Sequence, residues 1–367
     1  MNWINSSHIH TIAPRQMLEG MRTNLLPWFG QNDFENWLNI VSTIPNCGRL
    51  FLEIHPFSPT SRCDIITSIL ASDCSLSAWL DAPVSSSSII WEKTSSILRR
   101  WQKQICSQKG NLRSMCFMMW LEFDLFAQQY NLGDPSIFIA LTPKDNIQEL
   151  AEEISAYPEL HSAVLNFLSA IKKRTKLYER VVQLNPITLG HIGYMASRQN
   201  KNGILPLRSC WRCDDIEHFY QILLISGIQF DKSLLLNELI WLENIKEYIN
   251  SLMLHLDNYD IFEADFSLEV NVVNSQIHLS EKRENAILQA IINLGFLSSE
   301  QKQVLMNFSN RYSLGNDQIF YCSLHHFKIK FSNSKIQEIK CYWLIRTVDI
   351  KPMPQNKIRK DMPEVYF

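Results

Sequence analysis

The sequence predicts an α+β protein: an antiparallel β-barrel of about ten strands, built from repeated strand–strand–helix units with the helices outside. Three observations lead there. Short segments alternate apolar and polar residues at the two-residue period of a strand. They come in pairs joined by short turns, and stretches with helical spacing separate one pair from the next. The clearest alternation sets Phe117, Met119, Leu121, Phe123 and Leu125 against Trp120, Glu122 and Asp124.

Along the chain, Gln31 to Ile44 reads as a helix that Pro45 stops. Cys47 to His55 reads as a strand with Leu50, Leu52 and Ile54 on its apolar face, but no partner for it is evident. A helix over Ile89 to Gln104 follows the serine run. The first pair is Ser114 to Leu125 with Pro135 to Leu141, followed by helical spacing over Asn146 to Lys173. The second is Ile187 to Ser197 with Ile204 to Arg212, turned at Gln199 to Gly203 and followed by helices at Asp215 to Ile225 and Lys232 to Ile249. The third is Ser251 to Tyr259 with Ala264 to Val273, then helices at Glu281 to Leu294 and Glu300 to Phe308. A hairpin, Phe320 to Phe331 and Lys335 to Thr347, closes the series. The expected organisation is a lead-in over residues 1–46, one barrel-like domain over 47–347 and a tail over 348–367.

Short connections make paired strands antiparallel. Two architectures bury the apolar faces under helices. One is an open sheet with water on its polar side; the other closes into a wide barrel with a polar lumen and no exposed edges.

Composition narrows the function classes. Apolar residues make up 46% of the chain, enough for a sizeable core, and the formal net charge of −2 gives no basic field for nucleic acid. No apolar run reaches the length of a membrane span. Only 11 glycines are present, against a glycine-rich phosphate loop. The nine cysteines follow a start without a basic region and apolar run, so they are expected to be reduced cytoplasmic thiols. Cys210 and Cys213 lack a second ligand pair at zinc spacing, and no metal site is assigned to them.

In a closed barrel the polar face would line a chamber with Glu53, His55, Glu122, Asp124, Arg208, Arg212, His255, Asp257, Glu269, His326, Lys328, Lys330, Lys340, Tyr342 and Arg346. Lys328 and Lys330 share a face, as do Lys340, Tyr342 and Arg346 on the next strand, so the last hairpin offers a cationic patch suited to a pyrophosphate. The same charges also suit a solvated face with cross-strand pairs. Glu122, beside Trp120, is a candidate base or hydrogen-bond acceptor, and with Asp124 could hold Mg2+; one acid of a structural ion pair is the other reading. His325 and His326 are neighbours on a strand, so only His326 is expected in the chamber.

The unit order, the segment Leu121-Glu122-Phe123-Asp124 and the late Lys340-Cys341-Tyr342 resemble the aromatic prenyltransferases of the ABBA type. The resemblance implies a PT barrel in which Glu122 accepts a hydrogen bond from an aromatic acceptor. Lys340 and Tyr342 would serve the allylic diphosphate, with Lys328, Lys330, Arg208 and Arg346 joining them by position and Trp120 and Tyr342 shielding an allylic cation. It implies an aromatic small molecule or peptide side chain as acceptor; no cofactor is assigned as required, and Mg2+ remains an option at the Glu122–Asp124 pair. The chain departs from that pattern. Pro135 to Thr142 has no cation, His191-Ile192-Gly193-Tyr194 stands where Lys-x-Tyr is common, and the third pair offers Glu269 and Asn271. The missing cation on the strand after Glu122 counts toward the alternative, a non-catalytic peptide- or ligand-binding accessory protein on the same architecture.

Overall fold

A computed structural model describes residues 11–57, 63–70, 79, 95, 98, 99, 116–125, 135–141, 188–195, 207–257, 265–273, 277–314 and 318–348. Three short helices, α1 (Pro14–Gly20), α2 (Arg22–Phe29) and α3 (Gln31–Val41), precede the sheet. The strands are β1 (Arg49–Ile54), β2 (Cys63–Leu70), β3 (Cys116–Phe123), β4 (Ser136–Leu141), β5 (Thr188–Tyr194), β6 (Leu207–Cys213), β7 (Ile249–Asp257), β8 (Phe266–Val272), β9 (Asn310–Leu314), β10 (Gln318–Ser332) and β11 (Lys335–Val348). Between β6 and β7 lie α4 (Ile216–Ser226), α5 (Lys232–Leu239) and a 3-10 turn (Ile240–Tyr248). Between β8 and β9 lie α6 (Ile277–Asn293) and α7 (Ser299–Met306). The expected helices at Ile89 to Gln104 and Asn146 to Lys173, and the turn at Gln199 to Gly203, lie outside the described residues except for isolated positions.

Each strand from β1 to β8 pairs antiparallel with the next. Strand β8 pairs with β10, β10 with β11, and β11 returns to β1. Ten strands therefore close on themselves, and β9 lies outside as an extra strand on the first part of β10. Closure selects the barrel over the open sheet. The missing partner of β1 is β2, which sequence periodicity passed over: Ile66 is apolar yet sits on the lumenal face, while Thr67 is polar on the outer face.

The outer faces carry the main core. Leu50, Leu52 and Ile54 of β1, Leu252 and Leu254 of β7, Leu268 and Val270 of β8, Phe327 and Ile329 of β10 and Trp343 and Ile345 of β11 join the helices in one apolar cluster. Ring contacts mark where helical segments seat: Trp241 on Phe327 at 5.7 Å, Phe308 on Trp343 at 5.5 Å and Phe219 on Phe266 at 5.9 Å. A second, small cluster of Phe51, Ile66, Tyr342 and Leu344 with Trp120 lies on the opposite, inner face.

Local chemistry sets the helix ends. Asp215 caps α4 by accepting from the His218 amide at 2.7 Å, and Gly227 ends it at φ 81°. Asp231 caps α5, and Ser298 with Gln301 forms a capping box on α7. The expected single helix from Lys232 to Ile249 instead tightens after Leu239 into the 3-10 turn, and Ile249 already belongs to β7. The hairpin between β10 and β11 turns on Asn333 and Ser334 at φ 50° and 63°, the positive pair that matches strand twist in a two-residue loop.

Strand β10 changes partner midway, from β9 (at 318–322) to β8 (at 326–331). The backbone of Leu324 falls in the gap and still needs partners. Helix α6 supplies them: the Leu324 amide donates to Glu284 at 3.0 Å, and Arg283 donates to the Leu324 carbonyl at 3.2 Å. Burial pushes the Glu284 carboxyl above its ordinary range. At this place β10 is bulged against β11, between Leu324 and His326.

Strand β5 approaches β4 closely at Gly193, where an added Cβ would lie 2.1 Å from the Ile137 carbonyl oxygen and 2.7 Å from the Phe138 ring. Backbone cannot yield as a side-chain tip can, so Gly193→Ala should destabilise the protein by about 2 kcal/mol or more. Equilibrium urea unfolding checks this; a variant as stable as the wild type would show that the two strands can separate at no cost.

Candidate functional site

Inside the barrel the strand registers put complementary groups side by side. Glu53 on β1 faces Asp64 on β2 and Tyr342 on β11. Lys328 on β10 lies between Glu269 on β8 and Lys340 on β11. Arg208 on β6 lies between Gly193 and Asp257. Two lysines directly opposite would repel, but flanking carboxylates on β8 and β1 offset that.

Toward the hairpin end of the barrel an ionic network surrounds His55. Its Nε2 lies 2.8 Å from Asp64 Oδ2 and 3.3 Å from Glu53 Oε1, and its Nδ1 lies 2.8 Å from Glu338 Oε1. Lys340 Nζ donates to Glu53 Oε1 at 2.6 Å. Asp64 Oδ1 accepts from the Leu125 amide at 2.8 Å. Burial works against a charged His55, but the bonds to Asp64, Glu338 and Glu53 prevail and raise its pKa to about 10. Asp64, on the strand that periodicity missed, was absent from the sequence-derived chamber; its only signal is an acid between the apolar residues Cys63 and Ile65.

Next to this network lies a belt of rings. Tyr342 stacks on His326 at 4.0 Å, and Trp120 lies on His191 at 4.4 Å. Phe51 meets Trp120 at 6.2 Å and His325 edge-on at 5.2 Å. The bulge in β10 corrects the expectation for the histidine pair: both rings enter the chamber, with their Nδ1 atoms 2.9 Å apart. Alternation fails there because the bulge inserts one residue into the strand. On the far side, His255 Nε2 lies 2.9 Å from Glu269 Oε2, and its Nδ1 lies 3.3 Å from Cys210 Sγ.

The predicted site residues divide by their surroundings. Lys328 is buried, with its Nζ 5.0 Å from the centre of the Tyr342 ring, and among the described residues it makes no ion pair or hydrogen bond. Burial and the nearby Arg208 lower its pKa, while Glu269, Glu53 and Glu122 favour its charge. Glu122 on β3 is also buried, and its charge favours that of Arg208 as well. Arg208 itself donates from Nε and Nη2 to the two oxygens of Asp257, at 2.6 and 2.7 Å. Lys340 is held by Glu53. Lys330 is exposed at the rim, paired in register with Glu338. Arg346 is half-buried toward the other end, in register with Arg49, and burial lowers the pKa of both. Trp120 presents a buried indole Nε1 with no hydrogen-bond partner among the described residues, and Tyr342 is 1% exposed. Burial, reinforced by Glu53 and Glu122, holds the Tyr342 phenol well above its ordinary pKa. The four cations of the last hairpin are therefore drawn out along its length: Lys328 and Lys340 lie side by side in the chamber, Lys330 lies at one rim and Arg346 toward the other end. Cys210 and Cys213, three apart on β6, fall on opposite faces and cannot share an ion.

The arrangement is that of an ABBA-type, or PT, barrel: ten closed antiparallel strands around a polar and aromatic chamber, with helices outside. No protein-family profile matches the chain, and no curated protein matches it in sequence. Among solved structures, the chain is similar to the NotF prenyltransferase (9% identity, TM-score 0.49, 92% of this chain and 96% of that one). It is also similar to AnaPT from Neosartorya fischeri (10% identity, TM-score 0.47, 92% and 91%). A third is 5-dimethylallyltryptophan synthase from Streptomyces coelicolor (9% identity, TM-score 0.41, 89% and 95%). At such identities and scores, the closed barrel rests on this chain's own strand pairing. No described helix is long and apolar enough to cross a membrane.

The buried imidazoles give the chamber a pH limit. Burial lowers the pKa of His191 and His326 to about 4 and that of His255 to about 3. Below pH 6.5 the unfolded chain takes up protons that the folded chain refuses, so stability falls as pH falls from about 6.5 toward 4. The slope approaches 1.4 kcal/mol per group per pH unit. His55, with its raised pKa, is protonated in both states by about pH 5 and adds no opposing slope there. Thermal melts at pH 7.5, 6.0 and 5.0 should show a steepening loss of Tm, shallower in His326→Asn; a flat profile would mean that the rings are not held neutral.

Proposed function

We propose that the chamber binds an allylic diphosphate and transfers its prenyl group to an aromatic small molecule or a peptide side chain. The observation that carries this reading is Lys328, a buried cation with no bonded counter-ion among the described residues, set against the Tyr342 ring in a closed, polar and aromatic chamber. Buried charges are normally paired, so an uncommitted one suits an anion that arrives from outside.

In this reading Lys328 faces the diphosphate, with Lys340 beside it and Arg208 adding field while it keeps Asp257. The bond between the allylic carbon and oxygen breaks, and the diphosphate leaves with the electron pair, stabilised by these cations. The Tyr342, Trp120 and Phe51 rings turn their faces to the allylic cation and keep water from it. An electron-rich acceptor carbon forms the new bond, and Glu122 takes the proton that rearomatisation releases. Lys330 and Arg346, at opposite ends, serve entry of the charged donor. A second reading has its own support. The Lys340–Glu53 and Arg208–Asp257 pairs neutralise two of the cations, which suits a chamber that binds a peptide or small ligand without chemistry.

Thermal shift with dimethylallyl or geranyl diphosphate, with and without Mg2+, separates the two. A donor site should raise Tm by about 2–5 °C at saturating ligand. Lys328→Ala combined with Lys340→Ala should abolish the shift. Absence of any shift in the wild type removes the transferase reading; a shift that survives the double substitution places the donor elsewhere. With donor bound, Glu122→Gln should retain the shift and lower product formation from indole or tyrosine acceptors at least about 100-fold.

A further inference from the structure

We propose that Glu53, His55 and Asp64 form a binding site for one divalent transition-metal ion, oriented from behind by Glu338. The geometry is the first support. One ligand atom from each of the three residues lies within 4.8 Å of the others, all three side chains are buried, and His55 Nε2 is 2.8 Å from Asp64 Oδ2 and 3.3 Å from Glu53 Oε1. Metal bonds of about 2.1 Å set neighbouring ligand atoms about 3.0 Å apart in an octahedron and about 3.4 Å apart in a tetrahedron. His55 Nε2 therefore stands at the separation of neighbouring metal ligands from both carboxylates.

The second support is an acceptor left over. Glu53 is fully buried, and its Oε2 accepts no hydrogen bond among the described residues. Such an oxygen costs stability unless a cation comes to it. The third is the outer contact. Glu338 Oε1 lies 2.8 Å from His55 Nδ1, so a proton on Nδ1 is donated to Glu338 and the Nε2 lone pair is left facing Glu53 and Asp64. A carboxylate behind the imidazole is the usual way to fix a metal-binding tautomer. The fourth is charge. Glu53, Asp64 and Glu338 bring three formal negative charges, against Lys340 and a protonated His55 in direct contact, with Lys328 acting on Glu53 from farther off. A divalent ion in place of the His55 Nε2 proton brings the cluster to neutrality, and that proton leaves to solvent as the metal–nitrogen bond forms. One imidazole with two carboxylates favours manganese, iron or zinc over magnesium or calcium. Glu53 and Asp64 are register partners on adjacent barrel strands, which gives the site a rigid base.

The test uses the full chain, freed of metal by chelation and dialysed against Mn2+, an ion for which the chain's thiols compete poorly. Electron paramagnetic resonance should count about one bound Mn2+ per chain, with Tm rising by a few degrees through binding linkage. Asp64→Asn and His55→Gln should each weaken binding at least about 100-fold, and Glu338→Gln about 10-fold, as expected for an outer-shell contact. No retained Mn2+ in the wild type overturns the site, as does unchanged binding in a folded Asp64→Asn. Should that variant not fold, the wild type decides by NMR: Mn2+ must broaden the His55 ring signals before those of His218, and broadening without that order overturns the site. No diphosphate enters these assays, so their outcome is separate from that of the donor experiment.

Discussion

Six residue pairs between β1 and β11, from Arg49 with Arg346 to Ile54 with Cys341, close the sheet. Everything else about the chamber follows from that seam. Without it β1 and β11 would be open edges, and the inner faces would meet water along their length. With it, residues 287 positions apart become neighbours, and Lys340 reaches Glu53. The helices answer the same constraint from outside, since every strand turns one apolar face outward and each must be covered.

Closure also sets the electrostatics. Acids are concentrated early on the lumenal face and bases late, yet the seam brings the first strand beside the last, so opposite charges cancel in pairs instead of forming two poles. What survives cancellation is informative. Among the described residues, Lys328 lies against the Tyr342 ring without a bonded counter-ion, and the Glu53 Oε2 atom accepts no hydrogen bond. These two imbalances, one cationic and one anionic, lie in one chamber on either side of Lys340 and invite ligands of opposite sign. Imidazoles of lowered pKa, His191 and His326, line the same chamber, as expected where burial makes protonation costly.

Much of this was legible in the residues. Period-two alternation located nine of the ten barrel strands and assigned Glu53, Glu122, Arg208, Lys328 and Tyr342 to the inner face. It failed where a strand breaks the binary rule. Strand β2 carries Ile66 inward and Thr67 outward, so its pattern is blurred, and Asp64 was lost with it. The outer strand β9 is five residues long, too short for periodicity to register. His325 was misplaced because a bulge is decided by the partner change of β10 and by Arg283 and Glu284 on α6, not by local pattern.

The amino-acid sequence by itself determined the antiparallel pairs, the helices that cover them and which residues turn inward, because alternation and turn chemistry act over a few residues. Only the tertiary structure decided that the sheet closes, which cations are spent on Glu53 and Asp257, that His55 gathers three carboxylates, and that two consecutive histidines share one chamber. Those outcomes depend on the register between strands hundreds of residues apart. No local pattern carries that register; it is settled when the ten barrel strands find the pairing that buries their outer faces and closes the sheet on itself.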